Sequence, residues 1–526
     1  MSSVSTASIS AQLAAIVGAD NLIDGLDQRT FFSTDIAKRG ETVLAVARPG
    51  TTEQVSQIVA ACTAQGIAVV PRGGGFSYTG GYTPAEPDSV TIDMRGLDRV
   101  VEINEEDMYV RVETGCTWRV LYETLKARGL RTPYYGPMSG YNATVGGALS
   151  QGSFFLGSTE YGTTAETVLS LEVVLANGDV IHTGSDSAAG VGPFFRPYGP
   201  DLTGLFLADT GAMGFKTVAT LKLIRFPQHQ GYGSFAFDSG PQAMAALSEI
   251  GRAGLAAEAY AWDPYFVKIM SEATTSTKQD LAFLWAVIRN SAGIVDGLTA
   301  GLRIALSGKR VFREGTHIIQ IMIDDHSAAG AAERLKKVRA IAMANGATEL
   351  APSVPRAIRG TPFTDFNVPE RRTTLRNLPI NSIYPHSRAP AALKAIRALL
   401  AENQAEIDRH GMNVGVVFFA VGKNAMCIEP ILYWHDEQHF HHNRLTERSD
   451  VEAIDKIGER PAATLFAMEL REKLKAVMKA NGAVHVQIGK AYNYLPSREP
   501  RVAELVRAVK ASVDPDRRIN PGALGL

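Results

Sequence analysis

The sequence has 526 residues, of which 45% are hydrophobic, 20% are charged and 8% are aromatic, and its formal net charge is −1. This length allows two or three domains with a large buried core. Because 53 Lys and Arg are balanced by 54 Asp and Glu, the charge argues against a general nucleic-acid binder and against a polybasic membrane anchor. The composition is typical of a globular enzyme.

The cysteines and the N-terminus give little sign of secretion. Cys62, Cys116 and Cys427 are far apart, so we expect buried thiols rather than a disulfide framework. The polar N-terminus lacks the basic and apolar regions of a signal peptide, and no run of about 18 apolar residues predicts a transmembrane helix. Segment 281–306 comes nearest, and an interfacial helix is the alternative interpretation there. The predicted compartment is the cytoplasm.

The first half of the chain alternates short β-rich runs with glycine-rich turns. Strands are predicted at 43–49, 67–75, 89–94, 108–115 and 169–181, and an amphipathic helix at 51–66. Asn177-Gly178 is a strong hairpin signal within the last of these strands. This mixture of elements predicts an α+β fold.

The pattern changes after about residue 228. Helices are predicted at 331–346 and 391–411, between strand candidates at 317–324 and 413–421, which indicates a separate α+β domain. The polar, Pro- and Arg-rich stretch 352–388 predicts a long functional loop or lid. A final helical pair at 461–481 and 500–511 flanks the segment 484–494.

Three glycine-rich segments suggest a ligand. Residues 71–81 contain five glycines within nine positions directly after a predicted strand, and similar segments follow at 136–148 and 210–214. They match neither the Rossmann nor the P-loop pattern, and each taken alone is also explained by a tight turn. Together, three backbones that permit close approach indicate a long phosphate-containing ligand.

These segments resemble the FAD-binding oxidoreductases of the vanillyl-alcohol oxidase/p-cresol methylhydroxylase family. PRGGGFSYTGG resembles that family's pyrophosphate loop, VGGALSQG its flavin-cradling segment and VDPDRRINPG its C-terminal motif, and all occur in the family order. The resemblance implies a two-domain α+β flavoprotein. It has an FAD domain at 1–227 (core about 38–227), a substrate cap at 228–480 and a C-terminal segment at 481–526 that returns to the FAD domain.

The resemblance also implies cofactor residues, although backbone packing alone explains such glycines and serines as well. The diphosphate would be held by Arg72, Gly73, Gly74, Gly75, Phe76 and Ser77. The flavin, its ribityl chain and the adenine end would contact Gly146, Gly147, Ser150, Gly152, Ser153, Gly157, Tyr161, Gly162, Val218 and Asn520.

Covalent attachment through histidine is not expected. The family's two linking positions correspond to residues 76–78 and to the stretch 411–434, and neither contains histidine. His435, His439, His441 and His442 follow in what is predicted to be a surface turn. We therefore predict non-covalent FAD, with attachment through a tyrosine left open.

The catalytic residues are predicted by comparing subgroups of the resembled family. The metal motif of the hydroxy-acid dehydrogenases is replaced by AVGKNAMCI, so no metal is expected. Tyr78 matches one phenolate-binding tyrosine, whereas the Tyr-Arg pair is lost near 483–485 and Ser150 replaces an aspartate. His485 is the candidate base, with Gln487 on the same strand face and Lys490 beside reduced flavin or a substrate carboxylate. Structural or solvated roles are the alternatives.

The substrate side leaves two donor classes open. The arginines of the predicted lid, Arg371, Arg372 and Arg376, would clamp an acid, and Tyr134, Tyr135, Tyr492 and Tyr494 would form aromatic walls. Solvated charges and core packing are the alternatives. We expect a flavin-dependent alcohol oxidation, with a phenolic aryl alcohol favoured and a D-2-hydroxy acid second. A flavin-using transferase of the alkylglycerone-phosphate type is the hypothesis of another class. The electron acceptor would be oxygen or a carrier protein, and the family analogy suggests a homodimer.

Overall fold

The computed structural model describes residues 6–273, 312–363, 375–436 and 460–526. The predicted roles of Arg371 and Arg372, the segment 281–306 and three of the four clustered histidines fall outside these residues. Within the described ranges, no helix is both long and apolar enough to span a membrane.

The N-terminal part begins with a small, mainly parallel sheet. Its helices are α1 (Thr6–Val17), α2 (Leu26–Phe32) and α3 (Thr52–Thr63), and its strands are β1 (Leu22–Ile23), β2 (Ala45–Ala47), β3 (Ala68–Arg72) and β4 (Ser89–Asp93). The strand order is β1-β2-β4-β3, with β3 and β2 parallel to β4. Thr51 caps α3, as the sequence predicts, and β2 and β4 are buried along their whole length, as a covered parallel sheet requires. The C-terminal tail returns to this sheet, where Ile519 pairs in parallel with Val69.

A second, antiparallel sheet follows, in the order β5-β6-β10-β8-β9. Its strands and the adjoining pair β7 and β11 are β5 (Val100–Asn104), β6 (Tyr109–Glu113), β7 (Leu130–Arg131), β8 (Val168–Val174), β9 (Val180–His182), β10 (Phe215–Lys222) and β11 (Ile224–Arg225). The helices are α4 (Trp118–Lys126), α5 (Val145–Gln151), α6 (Ser158–Tyr161) and α7 (Leu202–Leu205). The Asn177-Gly178 hairpin joins β8 to β9, with φ of 87° at Gly178.

The C-terminal part is built on one eight-stranded sheet, which we call the cap sheet. Its strands are β12 (His229–Phe237), β13 (Glu258–Trp262), β14 (His317–Asp325), β15 (Thr348–Leu350), β16 (Leu375–Pro379), β17 (Ser382–Pro385), β18 (Asn413–Val421) and β19 (Ala425–His435). Helices of this part are α8 (Gly240–Ala253), α9 (Pro264–Ala273), α10 (Ala328–Ala344), α11 (Ser353–Gly360), α12 (Ala389–Glu402), α13 (Gln404–Arg409), α14 (Pro461–Ala480) and α15 (Pro500–Val513). The stretch 352–388 contains α11, β16 and β17, so its prediction as one long loop was wrong. Strands β16 and β17 are ordered by their pairing with β19, which local sequence periodicity does not predict.

The two faces of the cap sheet have different partners. Along β18, Val416 and Phe418 pack into the core beneath α8, α12 and α14, while Phe419 points to the opposite side. There its ring meets Phe154 and Phe155 of the N-terminal part edge-on, at 5.5 and 5.4 Å between ring centroids. Because strand side chains alternate, one face of the cap sheet carries the core and the other closes over the glycine-rich segments.

Candidate functional site

The glycine loop (residues 73–81) lies directly after β3 and packs against the second glycine-rich segment. A Cβ atom added to Gly73 would lie 2.3 Å from Oγ1 of Thr144, and one added to Gly74 would lie 2.1 Å from the carbonyl oxygen of Asn142. Gly75 has φ of 78°. These positions tolerate no side chain, so the glycines bring two backbones to close range.

The same loop presents unused hydrogen-bond donors. Within the described ranges, the backbone N–H groups of residues 74–78 donate to no protein acceptor. A run of free N–H groups in a glycine turn is a concave donor surface suited to an anion. The residues present therefore fit the diphosphate of a dinucleotide.

The third glycine-rich segment and the tail are tied to the glycine loop by Asn520. Its buried amide nitrogen Nδ2 donates to the carbonyl oxygens of Gly81 and Thr210, both at 2.8 Å, and its backbone N–H donates to Val69. The geometry shows that Asn520 holds two ligand-facing loops together, while Oδ1 has no hydrogen-bond partner. Direct contact with FAD stays a prediction.

The predicted flavin wall follows α5 and α6. Gly152 ends α5 with φ of 65°, and Gly157 has φ of 88°, with the carbonyl oxygen of Pro133 only 2.4 Å from where its Cβ would lie. Ser153 accepts a hydrogen bond from the Tyr134 hydroxyl at 3.0 Å. The remaining members lie on the same segments or on β10, namely Gly146, Gly147, Ser150, Tyr161, Gly162 and Val218. Their contacts with FAD stay predictions.

His485 lies in a half-buried position with a defined protonation state. Its ring stacks on Tyr492, with centroids 4.2 Å apart and planes 18° apart, and Nδ1 is 2.7 Å from the carbonyl oxygen of Asn381. A carbonyl only accepts, so Nδ1 carries the proton and Nε2 keeps its lone pair. Burial lowers the pKa of His485, which keeps the ring neutral at pH 7.

Tyr78 is brought close to a set of groups from distant parts of the chain. Burial, and then the charges of Glu429 and Tyr492, raise the pKa of Tyr78, while Arg471 opposes the shift. We call Tyr78, Glu429, Arg471, His485 and Tyr492 the Tyr78 cluster. Both tyrosines stay protonated at neutral pH, because burial raises the pKa of Tyr492 as well.

Two members of the Tyr78 cluster are charged groups without partners. Glu429 on β19 makes no hydrogen bond or ion pair with the described residues, and burial raises its pKa to about 7. Arg471 on α14 is 7% exposed, and no described residue forms a hydrogen bond with its Nε and Nη2 atoms. Its guanidinium carbon lies 5.9 Å from the ring centroid of Tyr492, whose hydroxyl is also unpaired. Buried polar atoms that no protein group satisfies make the Tyr78 cluster a candidate ligand site.

Gln487 lies in a turn and not in the predicted strand, and Lys490 lies beside Thr83. Residues after Val484 form no strand, and Gln487 has φ of 52°, so the prediction that His485 and Gln487 share a strand face was wrong. Contact with α5 imposes this turn, because the Gln487 N–H donates to the carbonyl of Gln151 at 2.7 Å. Lys490 donates to the carbonyl of Thr83 at 2.7 Å, and burial lowers its pKa to about 7. Its catalytic role stays a prediction.

The predicted substrate residues are separated in space. The Tyr135 hydroxyl donates to Glu258 at 2.5 Å and accepts from Arg359, inside a buried ionic network. Tyr494 packs beneath Arg498, whose guanidinium carbon lies 5.1 Å from its ring centroid. Arg376 pairs across the cap sheet with Trp434 of the core-facing side and has a carboxylate of Asp436 at 3.9 Å. Of the described predictions, Tyr492 is the substrate residue that joins the Tyr78 cluster.

Sequence reasoning missed Glu429 and Arg471, although each left a signal. Glu429 is the one acidic residue in the apolar strand AMCIEPILYWH. Arg471 lies in α14 beside Leu470 and Leu474, on the buried side of an amphipathic helix. Charges at apolar positions mark functional-site candidates. Across the described ranges, no group of three or more His, Cys, Asp or Glu side chains is arranged to hold a metal ion.

Comparisons with known proteins agree with this geometry. A family model described as an FAD binding domain matches residues 43–184, and one described as FAD linked oxidases, C-terminal domain, matches residues 226–524. The glycolate oxidase subunit GlcD of Bacillus subtilis (strain 168) is 33% identical over 224 residues, 42% of this chain and 46% of that protein. A mitochondrial D-lactate dehydrogenase (cytochrome) of Arabidopsis thaliana is 36% identical over 216 residues, 40% of this chain and 36% of that protein. The matches therefore span less than half the length of these relatives.

Solved structures share the whole fold at low identity. A p-cresol methylhydroxylase with substrate bound has a TM-score of 0.74 at 16% identity, covering 99% of this chain and 96% of the other. An alkyldihydroxyacetonephosphate synthase has a TM-score of 0.68 at 16% identity, covering 98% and 84%. Because the second family model spans more than half of the sequence, the chain belongs to the FAD-linked oxidases and binds FAD.

Proposed function

We propose that the protein is an FAD-dependent oxidoreductase that oxidises an alcohol group, CH–OH to C=O, on a phenolic aryl substrate. The observation that carries this proposal is the Tyr78 cluster, in which two protonated tyrosines lie close to an arginine whose Nε and Nη2 have no hydrogen-bond partner among the described residues. When bound, FAD supplies the electron acceptor for such an oxidation.

Arg471 and the two tyrosines account for binding of a phenolate oxygen. The Tyr78 and Tyr492 hydroxyls donate hydrogen bonds as long as they stay protonated, and Arg471 offers two N–H groups with no protein acceptor. An anionic oxygen at this point satisfies all three residues and stabilises the negative charge. The ring of the substrate would then pack against the aromatic side chains that line the cap sheet.

Removal of the hydroxyl proton has two candidate acceptors. His485 offers a lone pair on Nε2, and Glu429 is ionised in about half of the molecules at its pKa of about 7. Both groups lie near Tyr492, since His485 stacks on its ring and the charge of Glu429 raises its pKa. We assign the base to His485, because its hydrogen bond to Asn381 fixes the tautomer that base catalysis needs, and we give Glu429 the role of setting the local charge.

A D-2-hydroxy acid is the second candidate donor. It is favoured by the named activities of the two curated relatives and by the ability of Arg471 to bind a carboxylate in two-point fashion. The phenolic donor is placed first because two protonated tyrosine hydroxyls beside Arg471 suit the single oxygen of a phenolate. A transferase without net redox change is the third hypothesis.

The test is anaerobic reduction of the purified holoenzyme, followed by flavin absorbance. A 4-hydroxybenzylic alcohol is expected to bleach the flavin faster than the same alcohol without its phenol group, and faster than D-lactate or glycolate. Faster bleaching by the hydroxy acids would support the second candidate. No bleaching by any alcohol would contradict the proposal and favour the transferase. Re-oxidation with oxygen or with an artificial electron carrier then identifies the acceptor class.

A further inference from the structure

Arg72 is a buried cation that no acceptor satisfies. It ends β3, immediately before the glycine loop, and is 1% exposed. None of its three guanidinium nitrogens has a hydrogen-bond partner in the part of the chain that the structure describes. The neighbouring carboxylate, Asp93, is instead bound by Arg48 and Arg95, each at 2.8 Å. An uncompensated buried charge is costly, so its presence calls for an explanation.

Aromatic rings surround the guanidinium without neutralising it. Its central carbon lies 5.0 Å from the ring centroid of Phe31, 4.6 Å from that of Phe32 and 5.1 Å from that of Tyr82. Ring faces attract a cation through their quadrupole, and this attraction is larger in a desolvated site. The three rings therefore hold Arg72 in place while its positive charge stays available.

The caged charge lies against the glycine loop. A Cβ atom added to Gly75 would be 2.4 Å from Nη2 of Arg72, and the Tyr82 hydroxyl donates to the Gly75 carbonyl at 2.8 Å. The backbone N–H groups on both sides of Gly75 have no protein acceptor among the described residues. The Arg72 guanidinium and these backbone N–H groups therefore lie at the same turn of the glycine loop.

The charged side chains around Arg72 have a net positive charge, which a diphosphate would balance. Arg48, Arg72 and Arg95 gather around the carboxylate of Asp93, which leaves two positive charges. A second carboxylate, Asp35, lies beside Lys38 and accepts from the Gly80 N–H, so this pair does not change the count. A diphosphate ester carries two negative charges.

We propose that Arg72 is the electrostatic anchor of the FAD diphosphate, a cation held by an aromatic cage that acts on the phosphates through the glycine loop. In a low-dielectric interior, such a charge acts over several ångströms without direct contact. The aromatic cage, which consists of Phe31, Phe32 and Tyr82, holds the guanidinium in place and leaves its positive charge intact. A carboxylate partner would also hold the guanidinium in place, but it would neutralise the charge. Arg72 is accordingly a positioning residue, and its role does not depend on the alcohol substrate.

The test compares two ligands on full-length apoprotein, with affinity measured by quenching of flavin fluorescence. Arg72→Met removes the charge at similar length, and Arg72→Lys keeps it. We expect Arg72→Met to weaken FAD binding by about tenfold or more, and Arg72→Lys to stay within about threefold of the wild type. Riboflavin, which has no phosphate, is expected to bind all variants equally. If FAD proves to be tethered, the same comparison uses its rate of incorporation.

Arg339→Met, an exposed arginine paired with Glu349 on the far side of the cap sheet, is the matched control and should leave FAD affinity unchanged. Wild-type FAD affinity in Arg72→Met overturns the proposal. Equal losses of FAD affinity in Arg72→Met and Arg72→Lys also overturn the proposal, because they indicate that the shape of the arginine side chain matters and not its charge. A parallel loss of riboflavin binding would indicate collapse of the loop. If Arg72→Met does not fold, a loss of more than about tenfold in Arg72→Lys contradicts the proposal.

Discussion

Burial shifts the pKa values of Glu429 and His485 in opposite directions within the Tyr78 cluster. Burial lowers the pKa of His485, and burial raises that of Glu429 to about 7. Both shifts have the same cause, because burial penalises whichever form is charged. Near pH 7, the charge of the Tyr78 cluster is therefore controlled by Glu429, a residue that local sequence patterns do not connect to the site.

Glu429→Gln should change the pH dependence of kcat/KM. A phenolic substrate that binds as an anion is repelled by ionised Glu429, so wild-type kcat/KM should fall as pH rises through about 7. Removing the carboxylate should abolish this fall. The measurement is kcat/KM from pH 5.5 to 9, with Glu333→Gln, an exposed carboxylate, as control. An unchanged profile in Glu429→Gln would contradict the assigned role.

The same carboxylate predicts a pH dependence of stability. The folded-state pKa of Glu429 is raised above its unfolded value of 4.5, so its contribution is favourable at low pH and is lost as pH rises through about 7. The full shift corresponds to about 3 kcal/mol at most. Glu429→Gln should therefore gain thermal stability relative to the wild type at pH 8, and less so at pH 5. The same difference in thermal stability between Glu429→Gln and the wild type at pH 5 and at pH 8 would exclude this effect.

Arg471→Met should separate binding from folding. Without its guanidinium, the phenolate loses a charged hydrogen-bond donor, which costs about 2 kcal/mol, or a KM increase of about thirtyfold. The apoprotein should be equally or more stable, because the substitution removes an unpaired buried charge. Substrate titrations and thermal unfolding measure the two effects. A large loss of apoprotein stability would instead indicate a structural arginine.

At the scale of elements, the glycine loop depends on close backbone packing. Gly74→Ala would place Cβ 2.1 Å from the carbonyl oxygen of Asn142 and force the two loops apart. We expect the purified variant to retain much less flavin per chain, measured by absorbance. Gly25→Ala is the matched control, because its Cβ would meet no atom within 4 Å and its φ is −62°. Equal flavin content in both variants would show that this contact is dispensable.

At the scale of the whole molecule, a buried ionic network joins the N-terminal part to the cap sheet. Arg131 pairs with Asp324 at 2.8 Å, and Arg359 pairs with Glu258 at 3.0 Å and also with Asp324. All four charges are nearly inaccessible, and the Tyr135 hydroxyl bonds into the same group. This network ties Arg131 and Tyr135 of the N-terminal part to Glu258, Asp324 and Arg359 of the C-terminal part.

Arg359→Met should destabilise the protein by about 3–5 kcal/mol, because among the described residues it leaves buried Glu258 without a cationic partner and leaves Asp324 with Arg131 alone. Thermal unfolding is expected at a markedly lower temperature, with faster proteolysis near residues 226–229, where the two parts join. Arg339→Met, which breaks an exposed pair, should cost no more than about 1 kcal/mol. Similar losses in the two variants would refute a special role for the network.

The sequence alone determined the features that depend on neighbouring residues. The glycine loop, the Thr51 cap and the Asn177-Gly178 hairpin follow from short patterns, because each needs a particular backbone freedom or hydrogen bond within a few positions. The FAD cofactor follows from the resemblance of the glycine-rich motifs to those of a known family. The α+β class follows from the same local patterns.

Tertiary structure alone decided which distant residues meet. Tyr78, Glu429 and Arg471 come from a loop, a strand and a helix, and no local spacing predicts their meeting. Contact with Gln151 turns Gln487 away from a strand, and pairing with β19 orders much of the stretch 352–388. In each case the physical reason is burial, since the free energy that fixes these groups comes from packing between segments far apart in the chain.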